Sequence, residues 1–165
     1  HFPRAHSHDH EFIYDPTDFK MVEATTFVHS SLMLDYFQGL GYRWDEPKPL
    51  KIFLHQNSAS KRNNAFYQPA LSSEENQAAI YLSDGDGKVL QNLGLDRDVI
   101  SHELGHHIIY RTLKKTTGES LLLHEGLADY FSYSFSQDPC LGESICPDGS
   151  PPSFELDLII LSKSL

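Results

Sequence analysis

The sequence predicts an α+β fold in which a small mixed or antiparallel sheet is followed by two long helices. Apolar residues recur at helical spacing between Val22 and Phe37, which indicates a first helix. Two short apolar stretches come next and have the length and pattern of strands. Two longer amphipathic segments then begin near Asp96 and Glu119. Strands grouped ahead of their helices are typical of α+β proteins.

Each predicted element has its own start and stop signals. Gly39 ends the first helix, and DGDG at 84–87 is typical of a turn, because glycine supplies positive φ and Asp can bond its own backbone. Acidic residues start the second helix and basic residues end it, as the helix dipole favours. Pro139 stops the last helix. The segment between the strands is interpreted as a long polar connection. The predicted strands are 50–54 and 79–82, and the later helices are 96–114 and 119–135.

Length and charge limit the classes of protein to which the chain can belong. Its 165 residues, 39% of them hydrophobic, are enough for one packed domain, predicted to span 1–165. A formal net charge of -10 would repel a phosphate backbone, which argues against a nucleic-acid partner. No stretch approaches the roughly 20 apolar residues of a membrane helix, so no membrane partner is predicted. The oligomeric state has no signal in the sequence.

The two ends of the chain are predicted to be irregular. Residues 1–20 are interpreted as an extended N-terminal tail, and its histidines, His1, His6, His8 and His10, as solvated side chains. Residues 136–165 are predicted to form an irregular C-terminal segment. Within it, the apolar stretch 154–161 is typical of the first element of a further domain.

An HExxH sequence lies inside the first of the two long helices. His102 and His106 are four residues apart, so both project from one helical face and can bind one metal ion. Glu103 is about 100° round the helix and can approach a water on that metal. Composition alone would produce about 0.04 such matches by chance, so the motif is suggestive and its helical context strengthens it.

The next helix offers the third ligand that a catalytic zinc site needs. An antiparallel partner helix would bring Glu125, 19 residues after His106, back beside the two histidines. Asp129 lies one turn further on the same face. It can accept a hydrogen bond from the non-ligating nitrogen of His102 and so fix that ring.

These motifs resemble those of gluzincin metallopeptidases of the thermolysin and fungalysin type. HELGH at 102–106, followed by the E-x-x-x-D of Glu125 and Asp129, is similar to the family's zinc signature. Asn63-Asn64-Ala65-Phe66-Tyr67 is similar to its Asn-Ala-aromatic edge segment, and the DGDG turn also has a counterpart there. The matches stand in the family's order and cover roughly residues 25–135.

The resemblance implies a single zincin-like catalytic domain that hydrolyses peptide bonds. Carried over residue by residue, His102, His106 and Glu125 bind one Zn²⁺, Glu103 is the general base for a zinc-activated water, and Asp129 supports a ligand. Asn64 and Ala65 would bind the main chain of a peptide or protein substrate at a strand edge. The family would also make Asp98 a Ca²⁺ ligand. No partner carboxylates can be identified in the sequence, so a charge at the helix start is the favoured interpretation.

The sequence also departs from the family pattern. No His follows His124 and no Arg follows Arg111, so the family's downstream oxyanion-binding His and substrate-binding Arg have no counterpart. Loss of one oxyanion donor can cost about 10² to 10³ in turnover. The alternative function is therefore a catalytically weak or inactive zinc-binding module or fragment that acts in binding or inhibition. A weaker alternative is that both histidines are packed core residues and bind no metal.

The two cysteines bear on localisation. Cys140 and Cys146 would close a short polar loop, which suits a disulfide better than a zinc knuckle, although free thiols remain the alternative. A disulfide implies an oxidising compartment. The sequence thus predicts a secreted protein, extracellular or periplasmic.

Overall fold

A computed structural model describes residues 4–45, 48–58, 61–70, 77–113 and 119–147. Within these residues it has an α+β architecture with three α-helices and one small mixed sheet, in agreement with the predicted fold class. None of the described helices is both long and apolar enough to cross a membrane. The predicted apolar stretch 154–161 lies outside the described residues. In chain order the elements are α1 Phe19–Gly39, β1 Lys51–Phe53, β2 Ala65–Gln68, β3 Ala79–Leu82, α2 Arg97–Leu113 and α3 Glu119–Ser136, with short 3-10 turns at Leu93–Leu95 and Glu143–Ile145.

Helix α1 begins at a side-chain cap and lies across the core. The carboxylate of Asp18 accepts a hydrogen bond of 2.9 Å from the Lys20 backbone N–H, which satisfies one of the free donors of the first turn. Met33 and Phe37 of α1 are fully buried against residues of the sheet and of α2. Because α1 starts at Phe19, the predicted N-terminal tail, 1–20, extends two residues into the helix.

The described part of the N-terminal segment is also attached to the domain. Arg4 Nε donates a hydrogen bond of 2.6 Å to Glu23 of α1, and the Ala5 backbone N–H donates to the same carboxylate at 2.7 Å. The Tyr14 hydroxyl bonds both the N–H and the carbonyl of His6. Residues 4–18 contain no helix or strand, but the two bonds to Glu23 attach their first residues to α1.

The sheet has the strand order β1-β3-β2, with β1 parallel to β3 and β2 antiparallel to it. Ile52 of β1 and Tyr67 of β2 both lie opposite the buried Ile80 of β3. The two predicted strands correspond to β1 and β3. Strand β2 occupies part of the predicted polar connection, because its four residues are too few to present a clear alternating pattern.

The predicted turn follows β3 and has the expected backbone. Gly85 and Gly87 have φ values of 70° and 71°, which L side chains rarely adopt. A Cβ at Gly85 would lie 2.2 Å from the Leu90 carbonyl oxygen, so only glycine fits there. The carboxylate of Asp86 accepts the backbone N–H groups of Lys88 and Val89. This closed turn fixes the path of the chain from β3 to α2.

The structure records the two cysteines as thiols, Cys140 exposed and Cys146 buried. The predicted disulfide is therefore not formed in this structure, and the pairing stays a prediction. The exposed and buried positions differ because Cys146 ends a 3-10 turn packed on the core, whereas Cys140 lies in the loop before it.

Candidate metal centre

Helices α2 and α3 pack antiparallel, and this packing brings the predicted ligands together. The Ser132 hydroxyl donates to the carbonyl of Asp98 near the start of α2, at 3.1 Å. Glu125 of α3 lies beside His106, which is further along α2. Between these two contacts the helices approach closely, because α2 carries Gly105 where α3 carries Ala128.

Three donor atoms converge between the two helices. Nε2 of His102 and Nε2 of His106 lie 3.3 and 3.2 Å from Oε2 of Glu125. Ligand atoms of these three residues all lie within 4.8 Å of one another. The two imidazole rings are close to perpendicular, with centroids 4.6 Å apart. Neither His102 Nε2 nor Glu125 Oε2 has a hydrogen-bond partner among the described residues, although both atoms are buried.

This donor set fits zinc. Two imidazoles and one carboxylate are a known ligand combination for catalytic Zn²⁺, which leaves a further coordination position for water or substrate. Buried polar atoms without hydrogen bonds are costly unless a ligand or ion satisfies them. A cation shared by the three side chains would satisfy both Nε2 of His102 and Oε2 of Glu125.

Asp129 of α3 lies beside the ring nitrogen of His102 that faces away from the shared site. Its Oδ1 lies 2.8 Å from Nδ1 of His102. A proton on Nδ1 leaves the lone pair of Nε2 directed toward the shared site, which is the arrangement that metal-binding histidines usually have.

The charges of the group favour a cation. Burial alone would lower the pKa of His102, but the hydrogen bond to Asp129 and the adjacent Glu125 outweigh it and raise this pKa to about 10. Burial would raise the pKa of Glu125, yet contact with His102 and His106 lowers it to about 2. Without metal the group therefore retains a proton near neutral pH, and a zinc ion has to displace it.

Glu103 lies beside this group and is almost fully buried. Burial raises the pKa of its carboxyl, an effect opposed by the nearby His102 and His106. The Tyr67 backbone N–H donates a hydrogen bond to the carboxylate. Oε2 of Glu103 has no hydrogen-bond partner among the described residues, so one oxygen is left to accept a proton.

The predicted substrate-binding residues lie at the start of β2. Asn64 directly precedes the strand, and its carbonyl accepts the Ser83 backbone N–H of the neighbouring chain segment. Because backbone groups alternate along an antiparallel strand, those of Ala65 face away from β3, toward the free edge. Both side chains are buried, and Oδ1 of Asn64 has no hydrogen-bond partner among the described residues.

One contact near the site was not identified from the sequence. Tyr67 of β2 reaches His107 of α2, with its hydroxyl 3.2 Å from Nδ1 of the imidazole. His107 does not belong to the group of three described side chains that could hold a metal ion. The helical spacing of four between Glu103 and His107 was the signal available, since it places both on one face.

A comparison with known proteins finds one similar protein whose name refers to zinc. Over 90 residues, 53% of its length, the chain is 33% identical to a zinc metalloproteinase of Listeria monocytogenes. The match covers 16% of that relative, so the chain spans a small part of the protein to which it is similar. No family model matches the chain. The similarity and the ligand group together support a zinc metallopeptidase.

Replacing Asp129 by Asn is expected to weaken zinc binding without abolishing it. Asn can still accept a hydrogen bond from His102, but it loses the charge that favours the correct tautomer and raises ligand basicity. Outer partners of this kind typically contribute 10- to 100-fold in metal affinity, so we expect about that loss. Competition with a chromophoric chelator measures it, and an unchanged affinity would contradict the role of Asp129.

Replacing Gly105 by Ala is expected to weaken zinc binding by moving α3. The added methyl would lie 3.1 Å from Cα of Ala128, so α3 has to move outward and carries Glu125 with it. The matched control is Gly126→Ala on α3, where a methyl meets nothing within 4 Å. We expect the control to gain up to about 1 kcal/mol in unfolding free energy from helix propensity and to keep its zinc affinity. Equal zinc affinity in both variants would show that the close approach is unimportant.

Asp98 is a buried acid, and it makes the stability of the metal-free chain depend on pH. Burial and the neighbouring Asp96 raise its pKa from 3.8 to about 6. The folded state therefore binds this proton more tightly than the unfolded state. Its stabilising contribution is complete below pH 4 and is lost as the pH rises through 6.

Asp98→Asn is expected to be more stable than the wild type at pH 7.5. Asn carries no charge to bury, so the raised pKa sets an upper limit of about 3 kcal/mol on this difference, which solvent screening reduces. The difference should shrink toward zero at pH 4, and urea unfolding of the metal-free chain at both values measures it. If Asp98 instead binds calcium, as the family resemblance would have it, added Ca²⁺ will make the wild type the more stable chain.

Proposed function

We propose that this chain carries the catalytic centre of a zinc-dependent endopeptidase of the gluzincin, thermolysin-like type. The observation that carries the proposal is the convergence of His102, His106 and Glu125, with Glu103 beside them. The similarity to a zinc metalloproteinase supports the same activity. The proposed substrate is a peptide or protein chain.

Each residue has a distinct role in this proposal. His102, His106 and Glu125 hold the zinc ion, and Asp129 orients His102. When bound, zinc would supply Lewis-acid chemistry, which activates water and polarises a peptide carbonyl. Glu103 accepts a proton from water and passes it to the leaving amine. The burial that raises the pKa of Glu103 suits both steps, because the carboxyl then binds a proton readily and can return it.

Substrate binding is proposed for the free edge of β2. In the described sheet this strand pairs only with β3, so its other edge can accept an extended peptide as an added strand. The main-chain groups of Ala65 would make the first such bonds. Recognition through the main chain would allow varied side chains in the substrate.

An extracellular or periplasmic location is part of the proposal, and it rests on the spacing of Cys140 and Cys146. The mass of the intact chain, taken before and after reduction with alkylation, tests for the disulfide.

Cleavage of casein or a quenched peptide by the purified chain tests the proposed activity. We expect cleavage that a chelator stops and that added zinc restores. Cleavage that is insensitive to chelators would contradict a zinc peptidase. Stoichiometric zinc without any cleavage would favour the alternative, a zinc-binding module without turnover.

A further inference from the structure

Tyr67 contacts helix α2 at two points, both on the face that carries Glu103. Its backbone N–H donates a hydrogen bond to the Glu103 carboxylate, and its hydroxyl lies 3.2 Å from Nδ1 of His107. The two rings also touch edge to face, with centroids 5.4 Å apart. His107 is fully buried, so the second contact is in the interior and not at the surface.

The two points of contact are one helical turn apart. Glu103 and His107 are separated by four residues, which places their side chains one above the other on α2. Tyr67 lies on β2, the strand whose free edge is proposed to receive the substrate. One residue thus connects the strand edge both to the proposed general base and to the next turn of its helix.

The indole of Trp44 restricts His107 from another side. The two ring centroids are 5.3 Å apart with an interplanar angle of 37°. Tyr110, a turn further along α2 from His107, lies with its ring centroid 6.2 Å from that of Tyr67. Because aromatic neighbours surround the phenol and the imidazole, the contact between them has little freedom to shift.

We propose that Tyr67, through its hydroxyl contact with His107, is a positioning residue that sets the distance between the Glu103 carboxylate and the substrate edge of β2. This inference rests on the proposed function. The pairing with β3 already holds β2 in the sheet, and the hydroxyl contact with His107 adds a second point at which this strand is fixed to α2 beside Glu103. Misplacement of a reacting group by 1 Å can slow a reaction about 10²-fold. Loss of the hydroxyl contact leaves the backbone contact with Glu103 in place, so we expect a smaller misplacement and a smaller fall in rate.

Tyr67→Phe tests the proposal with the smallest change, because it removes one oxygen and keeps the ring. We expect kcat to fall by roughly 10-fold, with zinc content and KM unchanged. Tyr81→Phe is the matched control, since Tyr81 lies on neighbouring β3, where its ring stacks on Phe53 and Phe66 away from α2. The control should keep the wild-type kcat.

A double-mutant cycle separates positioning from a general loss of packing. If the pair acts as a unit, Tyr67→Phe combined with His107→Leu should lower kcat no further than either change alone. His107→Gln introduces a side-chain amide that can form a hydrogen bond with the phenol, so its kcat should be higher than that of His107→Leu. Additive losses, or a fall in kcat that follows zinc loss, would overturn the proposal.

A measurement without turnover keeps this proposal separate from the proposed function. In the metal-free chain labelled with ¹⁵N-histidine, Tyr67→Phe should shift the ring nitrogen resonances of His107, and Tyr81→Phe should not. An unshifted His107 signal would overturn the inference whether or not the wild type cleaves peptides. If Tyr67→Phe shifts the His107 signal but the wild type has no peptidase activity, the proposed function is overturned, and the positioning role with it.

Discussion

Glu103→Gln is expected to abolish peptide cleavage and to leave zinc binding intact. The amide is nearly the same size as the carboxylate and can occupy the same buried position, but it cannot accept a proton from water. General-base catalysis typically contributes 10²- to 10⁴-fold, so we expect kcat/KM to fall by about that factor. Because Glu103 is not one of the three converging ligands, zinc per chain should remain unchanged.

The exposed Glu11 supplies the matched control for this change. Glu11→Gln alters the net charge by the same amount and lies in the irregular segment before α1, so its activity should equal that of the wild type. An active Glu103→Gln chain would contradict the proposed base. A variant that loses both zinc and activity would mean that Glu103 acts on the metal group instead of on water.

Glu125→Gln is expected to have the largest effect on zinc itself. The change leaves two histidines and a weak amide donor, and it removes the negative charge that faces both imidazoles. We expect zinc affinity to fall by at least about 100-fold, beyond the 10- to 100-fold typical of an outer partner such as Asp129. Peptidase activity should be lost at zinc concentrations that saturate the wild type.

Zinc titration against a competing chelator measures this loss, with Glu11→Gln again as the control. Unfolding of the metal-free variant adds a second observable. In the wild type the contact with Glu125 raises the pKa of His102, so the variant should be less stable near neutral pH. Retention of wild-type zinc affinity would contradict the assignment of Glu125 as the third ligand.

The helices, and the grouping of His102, His106 and Glu125 between two of them, were the most predictable parts of the molecule. Helices α2 and α3 are long and carry clear terminal signals, and the spacing of His102 and His106 depends only on helical geometry. Placing Glu125 beside them required one further assumption, that the two helices pack antiparallel. The structure agrees with that assumption, because close packing at Gly105 holds α3 against α2.

Features that depend on long-range contacts were harder to predict. Strand β2 has four residues, too few for its own sequence pattern to predict a strand. It is a strand because it pairs with β3. No local pattern predicts the contact of Arg4 and Ala5 with Glu23, because these residues are 19 and 18 positions apart in sequence. Likewise, no local pattern links Tyr67 to His107, 40 residues later. These interactions exist only once the sheet and helices have assembled.

The most direct test of the central claim is the zinc content of the purified chain, measured by mass spectrometry after equilibration with zinc and removal of the excess. The account predicts one zinc per wild-type chain and a loss of that zinc in His106→Ala, which removes one of the three converging donors. A wild-type chain without zinc, or a His106→Ala chain that binds zinc as tightly as the wild type, would contradict it.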